Sequence, residues 1–516
     1  MNRIKAPFYP IIYVRGFAMT RSAMEETVAT PYMGFNLGST KIRQEWDGEV
    51  VRHIFESPLI RLMKDYGYTD NYTDGEEAEG RIPPKSIIIH RYYEQADRDI
   101  GTGEGAPSIE EAAESLSRLI MKTREQVCGD DAEERGRFRV HLVAHSMGGL
   151  IVRCLLQNSS IGLAEAKKLV DKVFTYGTPH NGIEIRGVNV PRFLGGWDIN
   201  NFNRRRIAEY LQLPNHDRVD TLNGTFPESR FFCHVGCNHM DYNLSRLAVG
   251  PMSDGLVLIK NASIKGAPRV YTNHSHSGHF GLVNSEEGYQ NLTRFLFGNV
   301  MIKAVLEVEE LPLPPTVRKA YESGRQVRAS YFFESTVMPR GGRFRLSDRR
   351  TETNSAVFRK FDELFPGKKA SGAGGSDSKG SDVGGSDSNG SDIGGSDSAN
   401  RKMPVLFSVF LDTSKIETGR TLVVTVDLSV RSTEYRISGN LFTRQRIPEE
   451  NLFRDKITLH AAQSGGKWRL RYNLTDEEWG ENRGRAAGFG KGMFSIPLSS
   501  RKGFRGNLLV QPEDLR

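Results

Sequence analysis

Over the first 300 residues, short apolar runs alternate with longer helical patterns. The runs are YPIIYV at 9–14, SIIIHRYY at 86–93, FRVHLVAH at 138–145, KVFTYGTP at 172–179, RFFCHVGC at 230–237 and APRVYTNH at 267–274. Between the second and third lies SIEEAAESLSRLIMKTREQV, beginning at Ser108. Here Ile109, Ala112, Ala113, Leu116, Leu119 and Ile120 share one helical face, and Ser108 with Glu111 makes a capping box. Strands alternating with helices predict βαβ units around a mostly parallel sheet.

Past residue 300 the texture changes. MIKAVLEVEEL, QVRASYFFESTV, PVLFSVFLDTS, TLVVTVDLSVRS, KITLHAAQ, KWRLRYNL and GMFSIPLSS are strand-like, with turn residues between them. The expected organisation is an α/β domain over 1–300 followed by an all-β, sandwich-like domain over 301–516. A Gly/Ser/Asp repeat interrupts the second domain, with Asp377, Asp382, Asp387, Asp392 and Asp397 recurring every five residues. It resembles calcium-binding glycine/aspartate arrays only loosely, because the period and the large apolar position are wrong. The segment 367–402 reads as a disordered, solvated insertion.

Composition narrows the function classes. Of 516 residues 38% are apolar and 26% charged, as in soluble globular chains, and the net charge is +7. Basic residues are scattered, apart from Arg204-Arg205-Arg206 and a patch at 340–350, without the aromatic interleaving of a nucleic-acid surface. Nucleic acid is therefore not an expected partner, whereas peripheral contact with an anionic membrane stays open. The N-terminal MNRIKAPFYPIIYVRGFAMT lacks a signal-peptide core, and no stretch approaches the length needed to span a bilayer. Four cysteines in so long a chain do not imply a disulfide framework. The expected location is cytoplasmic, or outside the cell by a route without a cleavable signal.

Chemistry concentrates at LVAHSMGGLIV, 142–152. Ser146 follows a strand, and GGLIVRCLLQ then reads as a helix, which makes the turn a nucleophile elbow. Ala144 and Gly148 supply the small neighbours that such a crowded turn needs. The turn leaves the Met147 N–H at a helix N-terminus, able to stabilise an oxyanion. A second donor, the Phe17 N–H, would come from the Gly16 turn that ends YPIIYVRGF. YGTPHNG at 176–182 follows the next strand, SDGLV carries Asp254, and SGHFGLV carries His279 ahead of an amphipathic helix. Ser146, Asp254, His279 is a nucleophile–acid–base order.

Together AHSMGG, GTPH, the Asp254 turn and GHFGLV resemble α/β-hydrolase lipases, especially small bacterial triacylglycerol lipases and more loosely inositol deacylases acting on GPI anchors. The resemblance covers residues 9–300 in pieces. It implies Ser146 as nucleophile, His279 as general base and Asp254 as the group orienting the imidazole, with Met147 and Phe17 as oxyanion donors. Arg15 departs from it, since such lipases carry histidine before the oxyanion-loop glycine. The implied activity is hydrolysis of a carboxylic ester with a lipid-like acyl group, without metal or organic cofactor. An acyltransferase with the same triad is an alternative, as is a binding or scaffold protein whose triad is vestigial. Protein partners are not legible.

Several residues compete for these roles. His274 and His276 share NHSHSGH with His279, which is favoured for the turn and helix that follow it; Asp241 competes with Asp254. His145 reads as an orienting or packing residue and His180 as part of a structural turn. Cys233, His234, Cys237 and His239 could suggest zinc, but their spacing does not match a paired-cysteine site, and a buried face of a strand is expected instead. The segment 183–215 is a possible lid, offering Val188, Val190, Phe193, Leu194 and Trp197 to an acyl chain and Arg204–Arg206 to an anionic headgroup. It reads equally as a plain surface helix with solvated arginines.

Overall fold

Each apolar run of the N-terminal half becomes a strand in the computed structural model. The structure describes residues 3–16, 39–44, 50–55, 58–73, 76–77, 80–90, 92, 107–185, 188–189, 201–241, 249–277, 281–323, 325, 327–365, 403–413, 421–437, 446–475, 477 and 484–515. The chain divides into two units, Met1–Phe297 and Gly298–Arg516.

The first unit is built on a seven-stranded sheet. Its strands are β1 (Ile11–Val14), β2 (Thr69–Asp70), β3 (Ser86–His90), β4 (Val140–His145), β5 (Val170–Tyr176), β6 (Phe231–Gly236) and β7 (Arg269–Thr272). They lie in the order β7-β6-β5-β4-β1-β3-β2, and every neighbouring pair is parallel. The residues of β1, β3 and β6 are all buried, because helices cover both faces of such a sheet, and this accounts for the runs IIYV, III and FFC within them. The flanking helices include α1 (Pro58–Tyr66), α2 (Ile109–Cys128), α3 (Gly148–Gln157), α4 (Arg204–Leu211) and α5 (Glu286–Phe297). The capping box of α2 forms as expected: Ser108 Oγ accepts from the Glu111 amide, and the Glu111 carboxylate accepts from the Ser108 amide. A cap of this kind contributes about 1 kcal/mol.

Helix α3 is buried along its whole length, Arg153 included. The Arg153 guanidinium donates to Gln157 Oε1 and to the carbonyls of His180 (2.9 Å), Val219 (2.6 Å) and Thr221 (2.8 Å). These acceptors satisfy the buried cation without a carboxylate and tie α3 to the TPH turn and to the 219–221 segment. Burial lowers its pKa only to about 10, so it stays charged near neutrality.

On α4 the three consecutive arginines are engaged within the chain. Arg204 pairs with Glu184, Arg205 with Glu209 at 3.8 Å, and Arg206 with Glu110 at 2.6 Å. Arg204 and Arg206 are thus held by carboxylates of this chain, whereas Arg205 stays solvated, 66% exposed beside Glu209. Of the possible lid, 186–187 and 190–200 lie outside the described residues, Val190, Phe193, Leu194 and Trp197 among them, while Val188 begins a two-residue strand.

The second unit is antiparallel. One sheet joins β8 (Val300–Glu310), β12 (Val405–Leu411), β17 (Gly488–Gly490), β18 (Met493–Ser499) and β19 (Arg505–Asp514) in the order β12-β8-β19-β18-β17. The other joins β9 (Ser330–Pro339), β10 (Ser347–Arg349), β11 (Val357–Lys360), β13 (Leu422–Ser432), β14 (Asn451–Ser464), β15 (Lys467–Asn473) and β16 (Arg485–Ala486), running β10-β9-β13-β14-β15-β16 with β11 also on β9. Every strand-like stretch of the C-terminal sequence overlaps one of these strands. The insertion expected over 367–402 lies outside the described residues. Among the described residues no helix is long and apolar enough to cross a membrane.

Candidate active site

Strand β4 passes into α3 through Ser146 and Met147 alone. Ser146 sits at φ 53°, in the left-handed region that costs a non-glycine residue about 1–2 kcal/mol. Backbone bonds hold it there: its amide donates to Tyr176 O at 2.9 Å, and its carbonyl accepts from Gly149 N at 3.1 Å. Close approach explains the glycines. A Cβ on Gly148 would lie 2.2 Å from Val14 O, and one on Gly16 would lie 2.5 Å from Ser146 Cβ. Gly16 therefore lies directly against the serine, while Phe17 falls outside the described residues. The amides of Met147 and Gly148 open α3, where the first N–H groups of a helix have no intrahelical acceptor.

The imidazole placed against Ser146 is that of His276, not the expected His279, which lies outside the described residues. His276 Nε2 is 2.9 Å from Ser146 Oγ, and His276 Nδ1 is 2.9 Å from Asp254 Oδ2. The two side chains are only 3% and 1% exposed, so the pair is shielded from competing water. Asp254 Oδ1 accepts from the Leu256 and Val257 amides at 3.0 and 2.8 Å, which fixes the carboxylate. With Nδ1–H given to Asp254, Nε2 is left to accept the serine proton.

Two glycines at strand ends make room for this pair. A Cβ on Gly177, just after β5, would meet Asp254 Oδ2 at 3.0 Å and His276 Nδ1 at 3.2 Å. A Cβ on Gly236, at the end of β6, would come within 2.8 Å of Asp254 Cβ. The loop after β7 then folds back on itself: His276 N donates to Asp254 O at 2.8 Å and Leu282 N to Ser275 O at 3.0 Å. Asp241, the competing acid, instead accepts from its neighbour Asn238. His274 turns to Glu287, with Nε2 2.8 Å from Oε2. The sequence signal for His276 was its position just beyond β7, on the sheet edge where Ser146 and Asp254 also stand.

The remaining histidines and cysteines have structural surroundings. His145 Nε2 donates to His276 O at 2.9 Å; burial, reinforced by the charges of His276 and Arg15, lowers its pKa to about 3. Burial likewise pushes His180 well below its usual value, and its ring meets Thr175 Oγ1 at 3.2 Å. His234 contacts Thr272 Oγ1 at 2.7 Å. Cys233 Sγ accepts from the Ile264 amide, and Cys237 packs among Val235, Val257, Ile259 and Tyr271. All four cysteines are buried and free, and among the described residues no group of three His, Cys, Asp or Glu side chains could hold a metal ion.

A polar cleft of about 330 Å³ lies in the other unit, lined among others by Glu334, Asp427, Arg431 and Arg454. Its charges answer one another, Arg431 lying 3.5 Å from Glu449 and Arg454 3.5 Å from Asp427; its Ser429 hydroxyl donates to Glu334 Oε2 at 2.6 Å, and no histidine is among its lining residues. At Ser146, by contrast, the hydroxyl meets an imidazole that is itself held by a carboxylate.

No protein-family model and no curated protein matches the chain. Among solved structures it is similar to the product of gene lin2722 from Listeria innocua, with 13% identity and a TM-score of 0.24 over 56% of this chain and 93% of that one. It is also similar to phospholipase PlaB from Legionella pneumophila, with 11% identity and a TM-score of 0.31 over 81% of this chain and 86% of that one. Likenesses of this size name neither a family nor a reaction.

Proposed function

We propose that the protein is a serine hydrolase that cleaves carboxylic esters with lipid-like acyl groups through an acyl-enzyme. One observation carries the reading: the hydrogen-bonded chain Ser146–His276–Asp254, 2.9 Å at each step, at the carboxyl edge of a parallel sheet. Ser146 Oγ attacks the ester carbonyl while His276 Nε2 takes its proton. Asp254 stabilises the resulting imidazolium without itself becoming protonated. The Met147 amide, with that of Phe17 as the second donor, receives the oxyanion. His276 then returns the proton to the leaving alcohol, and water, activated by the same base, releases the acid. The lipid-like acyl preference rests on the AHSMGG and GTPH resemblance alone.

The test is hydrolysis of chromogenic esters of increasing acyl length by the full chain and by Ser146→Ala. Turnover that S146A lowers by about 10⁴-fold or more is expected, with longer chains preferred. Turnover surviving in S146A would overturn the nucleophile, and a preference for acetyl esters would overturn the lipid-like part.

A further inference from the structure

We propose that His145 is a positioning residue for the base, holding the main chain of His276 in register with Ser146; this rests on the serine-hydrolase reading above. His276 sits on a loop, and its ring is useful only while both nitrogens stay aligned with their partners. Two bonds clamp its backbone. Its N–H donates to the carbonyl of Asp254 at 2.8 Å, and its C=O accepts from His145 Nε2–H at 2.9 Å. The acid thus holds the base from one side, and the residue preceding the nucleophile holds it from the other. Because His145 is the last residue of β4, the second clamp connects the loop to the rigid centre of the sheet.

The bond requires a particular state of the His145 ring. A carbonyl accepts only from a protonated nitrogen, so the proton is on Nε2. The two rings lie with centroids 5.0 Å apart. A second charge on His145 would oppose the imidazolium that forms on His276 during acylation, and Arg15 already faces the ring with its own charge. The low pKa of His145 keeps it a neutral donor across the working range. Losing the clamp frees the loop, and a misplacement of about 1 Å in such a constellation is enough to lower turnover about 10²-fold.

The test compares His145→Phe, His145→Asn and His145→Gln in the full chain, with rates expressed per site titrated by a fluorophosphonate. Phenylalanine keeps the ring and loses the donor, asparagine keeps an amide that falls short, and glutamine places an N–H near the position of Nε2. We expect H145F and H145N to lose about 10–100-fold in kcat with KM little changed. H145Q should recover to within about 3-fold of the parent, its kcat/KM acid limb overlaying that of the parent because His145 does not titrate there. Parental kcat in H145F, or in H145N should H145F not fold, would reduce His145 to packing. H145Q as impaired as H145N would show that the donor is not what matters. Failure of the hydrolase reading is separately visible, as wild-type turnover that survives S146A.

Discussion

Two histidines of the loop after β7 each meet a carboxylate from another part of the chain. His276 and Asp254 are 2.9 Å apart, and His274 and Glu287 are 2.8 Å apart. Both are shielded, yet they use opposite nitrogens. His276 gives Nδ1 to its carboxylate and keeps Nε2 for Ser146; His274 gives Nε2 to Glu287. Asp254 is anchored by backbone amides on a turn beside the strand ends, whereas Glu287 stands in the first turn of α5. A histidine–carboxylate pair is therefore not a catalytic feature by itself. What matters is which nitrogen it leaves available and whether a hydroxyl stands there.

Removing each ring in turn separates the two pairs. His276→Ala should lower kcat by about 10⁴-fold or more, while His274→Ala, in the fraction that folds, should stay within a few-fold, read by ester hydrolysis per titrated site. Asp254→Asn should cost about 10⁴-fold or somewhat less, since geometry survives but the imidazole loses its tautomeric control. A smaller effect is expected from Gly16→Ala, whose methyl would press on Ser146 Cβ; about 10–100-fold in kcat, with binding of ground-state analogues unchanged, is the predicted reading.

The smallest effect on turnover belongs to Glu287→Gln, which should act on stability. Burial opposes ionisation of Glu287, but His274 and its hydrogen bond outweigh it and hold the carboxyl at about 2. A carboxyl depressed in the folded state contributes stability that is present above its unfolded pKa, near 4.5. That stability is lost as pH falls toward 2. Urea midpoints of the parent should fall across this window more steeply than those of E287Q, whose kcat near neutrality stays within a few-fold. Equal slopes would remove the pair from the stability account.

The strands and the nucleophile were legible because they depend on local pattern. Unbroken apolar runs such as IIYV mark strands covered on both faces, and a serine between a strand and GGLIV marks a strained turn. His276 was not, because its selection over its neighbours is decided by how the loop folds back, through bonds to Asp254, His145 and Ser275 that no spacing encodes. Arg153 is similar: its acceptors are carbonyls at His180, Val219 and Thr221, which look ordinary in sequence. In the second unit the strand pattern found β8, β9, β12 to β15 and β18; it missed the short β10, β11, β16 and β17, and also β19, whose RGNLLVQPED mixes apolar residues with Gly, Asn, Pro and acids. That strand pairs with both β8 and β18 inside its sheet, so tertiary pairing overrode its weak local preference.

Activation of Ser146 by His276 is read by the rate at which a fluorophosphonate labels the intact protein, followed by mass and mapped by peptide. One adduct is expected, on Ser146, forming at the parental rate in His279→Ala and slower by about 10³-fold or more in His276→Ala. Rapid labelling of H276A, or an adduct mapped to any other residue, would contradict this activation.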